Sequence, residues 1–257
     1  MLKKLGLFLA LILFVASPLF AGEFTIYAAS DMQYAMKEIV AAYKNAHPND
    51  EAKIVFGASG KGYTQIQNGA PYDLYFSADM GYVNKLEKEG LTITPVKMYA
   101  VGRIGLWARK DAGIDVSKGI DALFDPKVMK IAVANWEVAP YGVAAKNAML
   151  HYGVFEKVKD KIVLGENVSQ TLQYIQTGAA EIGFVPHSLA LSENAKKDGV
   201  FQLLPANTHN EIKQGYAVLK NANGNSSVME FYKFIETSDV RKILDKYGFA
   251  LPGESNK

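Results

Sequence analysis

The chain has 257 residues, of which 49% are apolar and none is cysteine, and it carries 28 Lys and Arg against 26 Asp and Glu for a formal net charge of +2. Without cysteine there can be no disulfide framework, thiolate metal site, cysteine nucleophile or lipid-anchored cysteine, so the fold must stand on its core. Balanced charge without a basic stripe gives no case for nucleic acid as a partner.

Met1, Lys3 and Lys4 precede an apolar run at 5–15, followed by Ala16, Ser17, Pro18 and the small Ala21. This pattern reads as a secretory signal peptide covering 1–21, and the run is short of the roughly 18 apolar residues a membrane span needs. The mature protein is expected to be soluble, exported to the periplasm and to begin near Gly22. Its length allows two lobes.

FTIYAA (24–29) predicts a strand and SDMQYAMKEIVAAYKN (30–45) a helix, with Ser30 and Gln33 spaced as a capping box. IVF (54–56) predicts a second strand, which turns through Gly57, Ser59, Gly60 and Gly62 into another helix. Ser59 is placed at the N-cap with Lys61 close by, and the small residues leave room for a ligand to approach the backbone. A helix leaves its first N–H groups without intrahelical partners, so such a turn attracts anions. Two serine-headed turns could aim their amides at one small oxyanion. Taken singly, either serine reads as an ordinary structural cap.

DLYF (73–76) predicts a strand, and 77–89 a helix capped by Ser77 or Asp79. Strand-like KMYAV (97–101) and RIGLWA (103–108), parted only by Gly102, read as the passage out of the first lobe. A strand at 130–134, a loop NWEVAPY (135–141) and a helix at 142–151 follow, with Pro140 suited to the helix entrance. Next come a strand at 161–164, a loop at 165–167, a helix at 168–177 stopped by Gly178, and strands at 181–185 and 201–204. The stretch 211–219 is expected to carry the chain back, and helices at 225–237 and 238–247 close it. Strands alternating with helices at this rhythm predict an α/β fold with helices on both sheet faces. No repeat or low-complexity tract is present.

From Glu23 to Pro252 the chain resembles the periplasmic molybdate-binding proteins, the ModA-type solute receptors of ABC importers. The segments that carry the resemblance are YAAS (27–30), FGASGK (56–61), QIQNGAPYDLYFSAD (65–79), NWEVAPYG (135–142), GENVSQTLQYIQTGAAEIGFV (165–185) and YGF (247–249), in the family's order. The resemblance implies a type II periplasmic binding protein, with two α/β lobes joined by two crossing strands and a ligand cleft between. Residues 22–102 and 216–257 would form lobe I, and 103–215 lobe II. It implies oxyanion ligands at the serines of the two turns, Ser30 and Ser59, and at the backbone amides of Tyr141 and Val168. Some members add a tyrosine hydroxyl just after the strand matching 181–185, where this chain has Pro186, which cannot donate. Lys61 or His187 could stand in for it, or the site could have fewer donors. The partners implied are the oxyanion and the membrane permease of the importer. No cofactor and no metal cation are expected, and the receptor is expected to be a monomer.

Molybdate at neutral pH is a fully deprotonated tetrahedral dianion, so its oxygens only accept hydrogen bonds. Serine hydroxyls, backbone N–H groups and helix N-termini supply donors without a paired cation. Hydrogen phosphate would call for an acceptor as well, whereas sulfate and tungstate carry no proton. Asp31 and Glu166 stand beside the implied ligands, where a carboxylate pointing inward would repel an anion. Acids in a first helical turn are expected to complement the dipole and face solvent. The histidines His47, His151 and His209 read as surface or packing residues.

An enzyme is the main alternative class. In GASGK, Lys61 stands where a nucleophile elbow has its last glycine, and Gly62 stands where a P-loop has Ser or Thr. No histidine and acid are spaced to complete a hydrolase triad. A receptor for sulfate, another oxyanion or an iron chelate is the alternative within binding proteins.

Overall fold

The computed structural model describes residues 22–253; the signal-peptide expectation for 1–21 lies outside the described residues. The chain forms two five-stranded sheets, each flanked by helices. The first sheet has the order β2-β1-β3-β10-β4, built from β1 (Glu23–Ala29), β2 (Glu51–Gly57), β3 (Leu74–Ser77), β4 (Lys97–Gly102) and β10 (Ile212–Val218). The second has the order β7-β6-β8-β5-β9, built from β5 (Ile104–Arg109), β6 (Ile131–Ala134), β7 (Ile162–Gly165), β8 (Ile182–Pro186) and β9 (Gly199–Leu203). Both follow one pattern. Three strands run parallel, and the fourth in spatial order, β10 or β5, is antiparallel to both of its neighbours.

The chain passes between the sheets twice. The first passage is the single residue Arg103 between β4 and β5, and the second is the stretch 204–211 between β9 and β10. Helices α1 (Gln33–Ala46), α2 (Ser59–Gln67), α3 (Met80–Lys88), α9 (Ser226–Phe234) and α10 (Ser238–Lys246) accompany the first sheet. Helices α4 (Pro140–His151), α5 (Phe155–Val158), α6 (Val168–Gln176), α7 (His187–Ala190) and α8 (Glu193–Asp198) accompany the second. The α5, α7 and α8 turns and the 3₁₀ turns of 110–124 were not expected from the sequence. Pieces of three to six residues are too short for a 3.6-residue period to register. Among the described residues, no helix is long and apolar enough to cross a membrane.

Each lobe closes around its own core. In the first, Phe24, Tyr43, Phe76, Tyr216 and Phe231 stack and cross at centroid distances of 5.0 to 6.4 Å. In the second, Trp107 is fully buried, and its indole N–H donates to the Ala195 carbonyl at 3.3 Å. Apolar burial drives both cores, and the antiparallel strand stitched into each sheet fixes where the passages run.

Candidate functional site

Four loops that leave the carboxyl ends of parallel strands meet at the junction of the lobes: after β1, β2, β6 and β7. In open α/β sheets this is where ligands collect. Ser30, Ser59, Tyr141 and Val168, one from each loop, line a single small cavity, together with Ala29, Asp31, Gly57, Ala58, Ala78, Ala139, Pro140 and Asn167. All four are buried. Ser30 opens a 3₁₀ turn (Ser30–Met32), Ser59 and Val168 are the first residues of α2 and α6, and Tyr141 is the second residue of α4 behind Pro140. Every one therefore has a backbone N–H or neighbouring N–H in a first turn, where helical geometry provides no acceptor. Four helix starts facing one small space make a positive, donor-rich concavity without a cation.

Local hydrogen bonds hold each start in place. The Asn167 side chain caps α6, accepting from the N–H groups of Ser169 (3.0 Å) and Gln170 (3.1 Å). The α2 start is held through its carbonyls, Tyr27 Oη donating to Ala58 O (2.9 Å) and Tyr75 Oη to Ser59 O (2.6 Å). Ser59 is not the N-cap expected from its position: Ala58 fills that place, and Ser59 Oγ accepts from the Ala78 N–H at 2.9 Å. That bond leaves the hydroxyl proton of Ser59 free to donate. The Ser30–Gln33 capping box does not form either. The intervening 3₁₀ turn moves the start of α1 to Gln33, whose Oε1 instead accepts from Ser169 Oγ of the other lobe at 2.6 Å. Ser30 Oγ is buried without a hydrogen-bond partner among the described residues.

The glycines of the 57–62 turn make room for protein rather than ligand. A Cβ on Gly57 or Gly62 would lie 2.1 or 2.3 Å from the Tyr27 side chain, and one on Gly60 would meet Val138 Cα and O of the opposite lobe at 3.0 Å. The Gly60 N–H donates to Val138 O at 2.8 Å. Further bonds cross the cleft: Tyr141 Oη to Asp31 Oδ2 (3.0 Å), Ser188 Oγ to Asp31 O (2.8 Å), and the ion pair of Lys61 with Glu166. The lobes are closed on the cavity.

The expectation that acids in the first turns face solvent holds for Glu166 and fails for Asp31. Asp31 is 1% exposed, and its Oδ2 also accepts from Gln214 Nε2 at 2.6 Å. Burial pushes its carboxyl up to about 6, against the lowering effect of the bonds from Gln214 and Tyr141. The residues that hold it, 110 and 183 positions away, leave no local signal. Gln214 itself was missed because a glutamine in a strand ordinarily reads as an outward-facing position. Lys61 is committed to Glu166 and is not among the lining residues. His187 is not among them either: its ring stacks on Phe201 at 5.2 Å, and burial lowers its pKa. Pro186 ends β8, paired with Ile104.

Because the Lys61–Glu166 pair is exposed, it contributes about 0–1 kcal/mol to closure. Glu166→Gln gives up that closing contact but removes a carboxylate and frees a cation near the anion site, so oxyanion affinity should change by no more than about fivefold and any gain should vanish in high salt. Titration at two ionic strengths reads both effects.

Two lobes shut over a small, donor-lined cavity define a ligand-trapping receptor. The chain belongs to the bacterial extracellular solute-binding protein family, whose model matches residues 24–250. It is a binding protein and not an enzyme. It is similar to the molybdate-binding protein ModA of Rhodobacter capsulatus, 34% identical over 94% of this chain and 93% of the relative. It is likewise similar to the ModA protein of Azotobacter vinelandii, 30% identical over 90% and 91%. Among solved structures, the periplasmic molybdate-binding protein of Azotobacter vinelandii superposes with a TM-score of 0.83 at 28% identity, covering 89% of this chain and 99% of that one.

Proposed function

We propose that this protein binds molybdate in the closed cleft between its lobes and delivers it to the membrane permease of an ABC importer. The observation that carries the reading is the convergence of four helix starts on one cavity whose wall includes the unpartnered, buried hydroxyl of Ser30. Ser30 and Ser59 donate through their hydroxyls, and the starts of α4 and α6 donate through the amides of Tyr141 and Val168. Without Lys61 or a tyrosine after β8, neutral donors and helix dipoles hold the dianion alone. Tungstate, with similar size and charge, is the second ligand expected. The receptor works as a monomer in the periplasm after removal of 1–21. The similarity to two molybdate-binding relatives supports the choice of oxyanion.

A thermal-shift panel of molybdate, tungstate, sulfate, phosphate and ferric citrate tests this reading. At ligand near 1,000 Kd, native-state binding adds about 4 kcal/mol, which for a chain of this size raises Tm by roughly 8–16 °C. Molybdate and tungstate should give that rise. No shift with either, or a larger one with ferric citrate, would remove the assignment.

A further inference from the structure

The cavity wall contains one group that a site for a fully deprotonated dianion cannot use while it is ionised. Asp31 lines the cavity, and its two carboxyl oxygens have different fates. Oδ2 takes the bonds from Tyr141 Oη and Gln214 Nε2, while the backbone N–H groups of Asp31 and Met32 give the carboxyl only weak further support and Oδ1 is buried without a well-formed hydrogen bond among the described residues. The neighbouring Ser30 Oγ shares that condition in the same wall. A carboxylate oxygen and an oxyanion are both acceptors only, so with little water between them they repel. One proton placed between them turns the repulsion into a hydrogen bond.

We propose that Asp31 is a specificity-determining residue of the oxyanion site, carrying a proton on Oδ1 when a fully deprotonated oxyanion is bound and donating it to that oxyanion as a hydrogen bond. The inference rests on the reading of the cavity as an oxyanion site. The proton comes from solvent and forms one O–H bond on Asp31, and no other bond changes.

Among the described residues, no cation stands against Asp31 to do this instead. From β4 and α4 it faces Tyr99 and Tyr141, which burial holds well above the ordinary phenol range, so both stay neutral. From β10 it faces the amide of Gln214, itself held by Tyr99 Oη at 2.5 Å. From α7 the contact is the Ser188 hydroxyl; the titratable group of that helix, His187, is stacked on Phe201, and burial favours its neutral form. On the α6 side Ser169 is uncharged and bonded to Gln33, and Lys61 is engaged by Glu166. Arg103 sits by His187 and His209. Burial, acting against the hydrogen bonds that favour the carboxylate, already holds the Asp31 carboxyl up at about 6, and a dianion beside it acts in the same direction as burial. Selectivity follows from basicity: a carboxyl proton bonds more strongly to a more basic oxyanion, which disfavours the weakly basic sulfate. Hydrogen phosphate brings its own proton and would take none from solvent.

Titration calorimetry with molybdate between about pH 6 and 9, in buffers of different ionisation enthalpy, tests this directly. Wild type should take up close to one proton per molybdate at the alkaline end, with Kd rising by up to about tenfold per pH unit. Asp31→Asn keeps the shape and is permanently neutral. It should abolish both the proton uptake and the slope, and at the alkaline end it should bind at least as tightly as wild type. A flat Kd with no proton uptake in wild type overturns the proposal even if the variant fails to fold, and so does a variant that keeps the wild-type slope. Failure of wild type to bind molybdate at any pH overturns the oxyanion reading itself, and the proposal with it.

Discussion

Gly60→Val should lower molybdate affinity by roughly 30- to 1,000-fold while costing the unliganded protein much less in stability. The Gly60 Cα lies where the lobes touch: a Cβ there would stand 3.0 Å from the Val138 backbone across the cleft and 2.8 Å from Tyr82 Oη. Forcing side-chain atoms into that contact costs about 1–3 kcal/mol, and loss of the Gly60 N–H to Val138 O bond adds about 1 kcal/mol. Together these disfavour the closed state by about 2–4 kcal/mol, and the apparent Kd rises by the fraction of closed molecules lost. Opened lobes relieve the clash with Val138, whereas Tyr82 Oη lies in α3 of the same lobe and must shift in either state, a smaller cost because it is the tip of a side chain. Calorimetric titration beside thermal melting of the unliganded chain separates the two quantities. A loss of stability equal to the loss of affinity would show that the contact belongs to folding and not to closure.

Ser59→Ala should weaken molybdate binding by about 1.5–3 kcal/mol, or roughly 10- to 150-fold, the range for a hydrogen bond to a charged group. Ser59 Oγ already accepts the Ala78 N–H, which leaves its proton free to donate, and the residue lines the cavity. The substitution removes that donor and also strands the Ala78 amide. Gly and Asn cannot restore the geometry, whereas Ser59→Thr keeps the hydroxyl and is the conservative control. An affinity unchanged in the alanine variant would place Ser59 outside the binding set.

The strands and the longer helices were legible in the chain because burial imposes periods of two and 3.6 on local sequence. Pro140 at the head of α4 and Gly178 after α6, in left-handed backbone at φ +78°, were read from chemistry that acts within a turn. What local sequence could not show is how side chains are spent once the lobes meet. Gln33 has the spacing of a cap but reaches Ser169, and Ser59 looks like a cap but serves Ala78 and the cavity. Asp31 follows the rule for a solvated first-turn acid and is instead enclosed by Tyr141 and Gln214. In each case a partner more than 15 residues away outweighed the local preference.

The order of the strands also sets an order of events. Every strand of the second sheet lies between Ile104 and Leu203, so that lobe possesses all its pairing partners once the chain has emerged that far. The first sheet begins earlier but cannot finish, because β10 fills the place between β3 and β4 and arrives only at Ile212. Until then β3 and β4 each lack a neighbour, with edges free to pair wrongly. The half of the molecule that is made first is thus completed last, and the unfinished N-terminal half must wait for the C-terminal end to reach it.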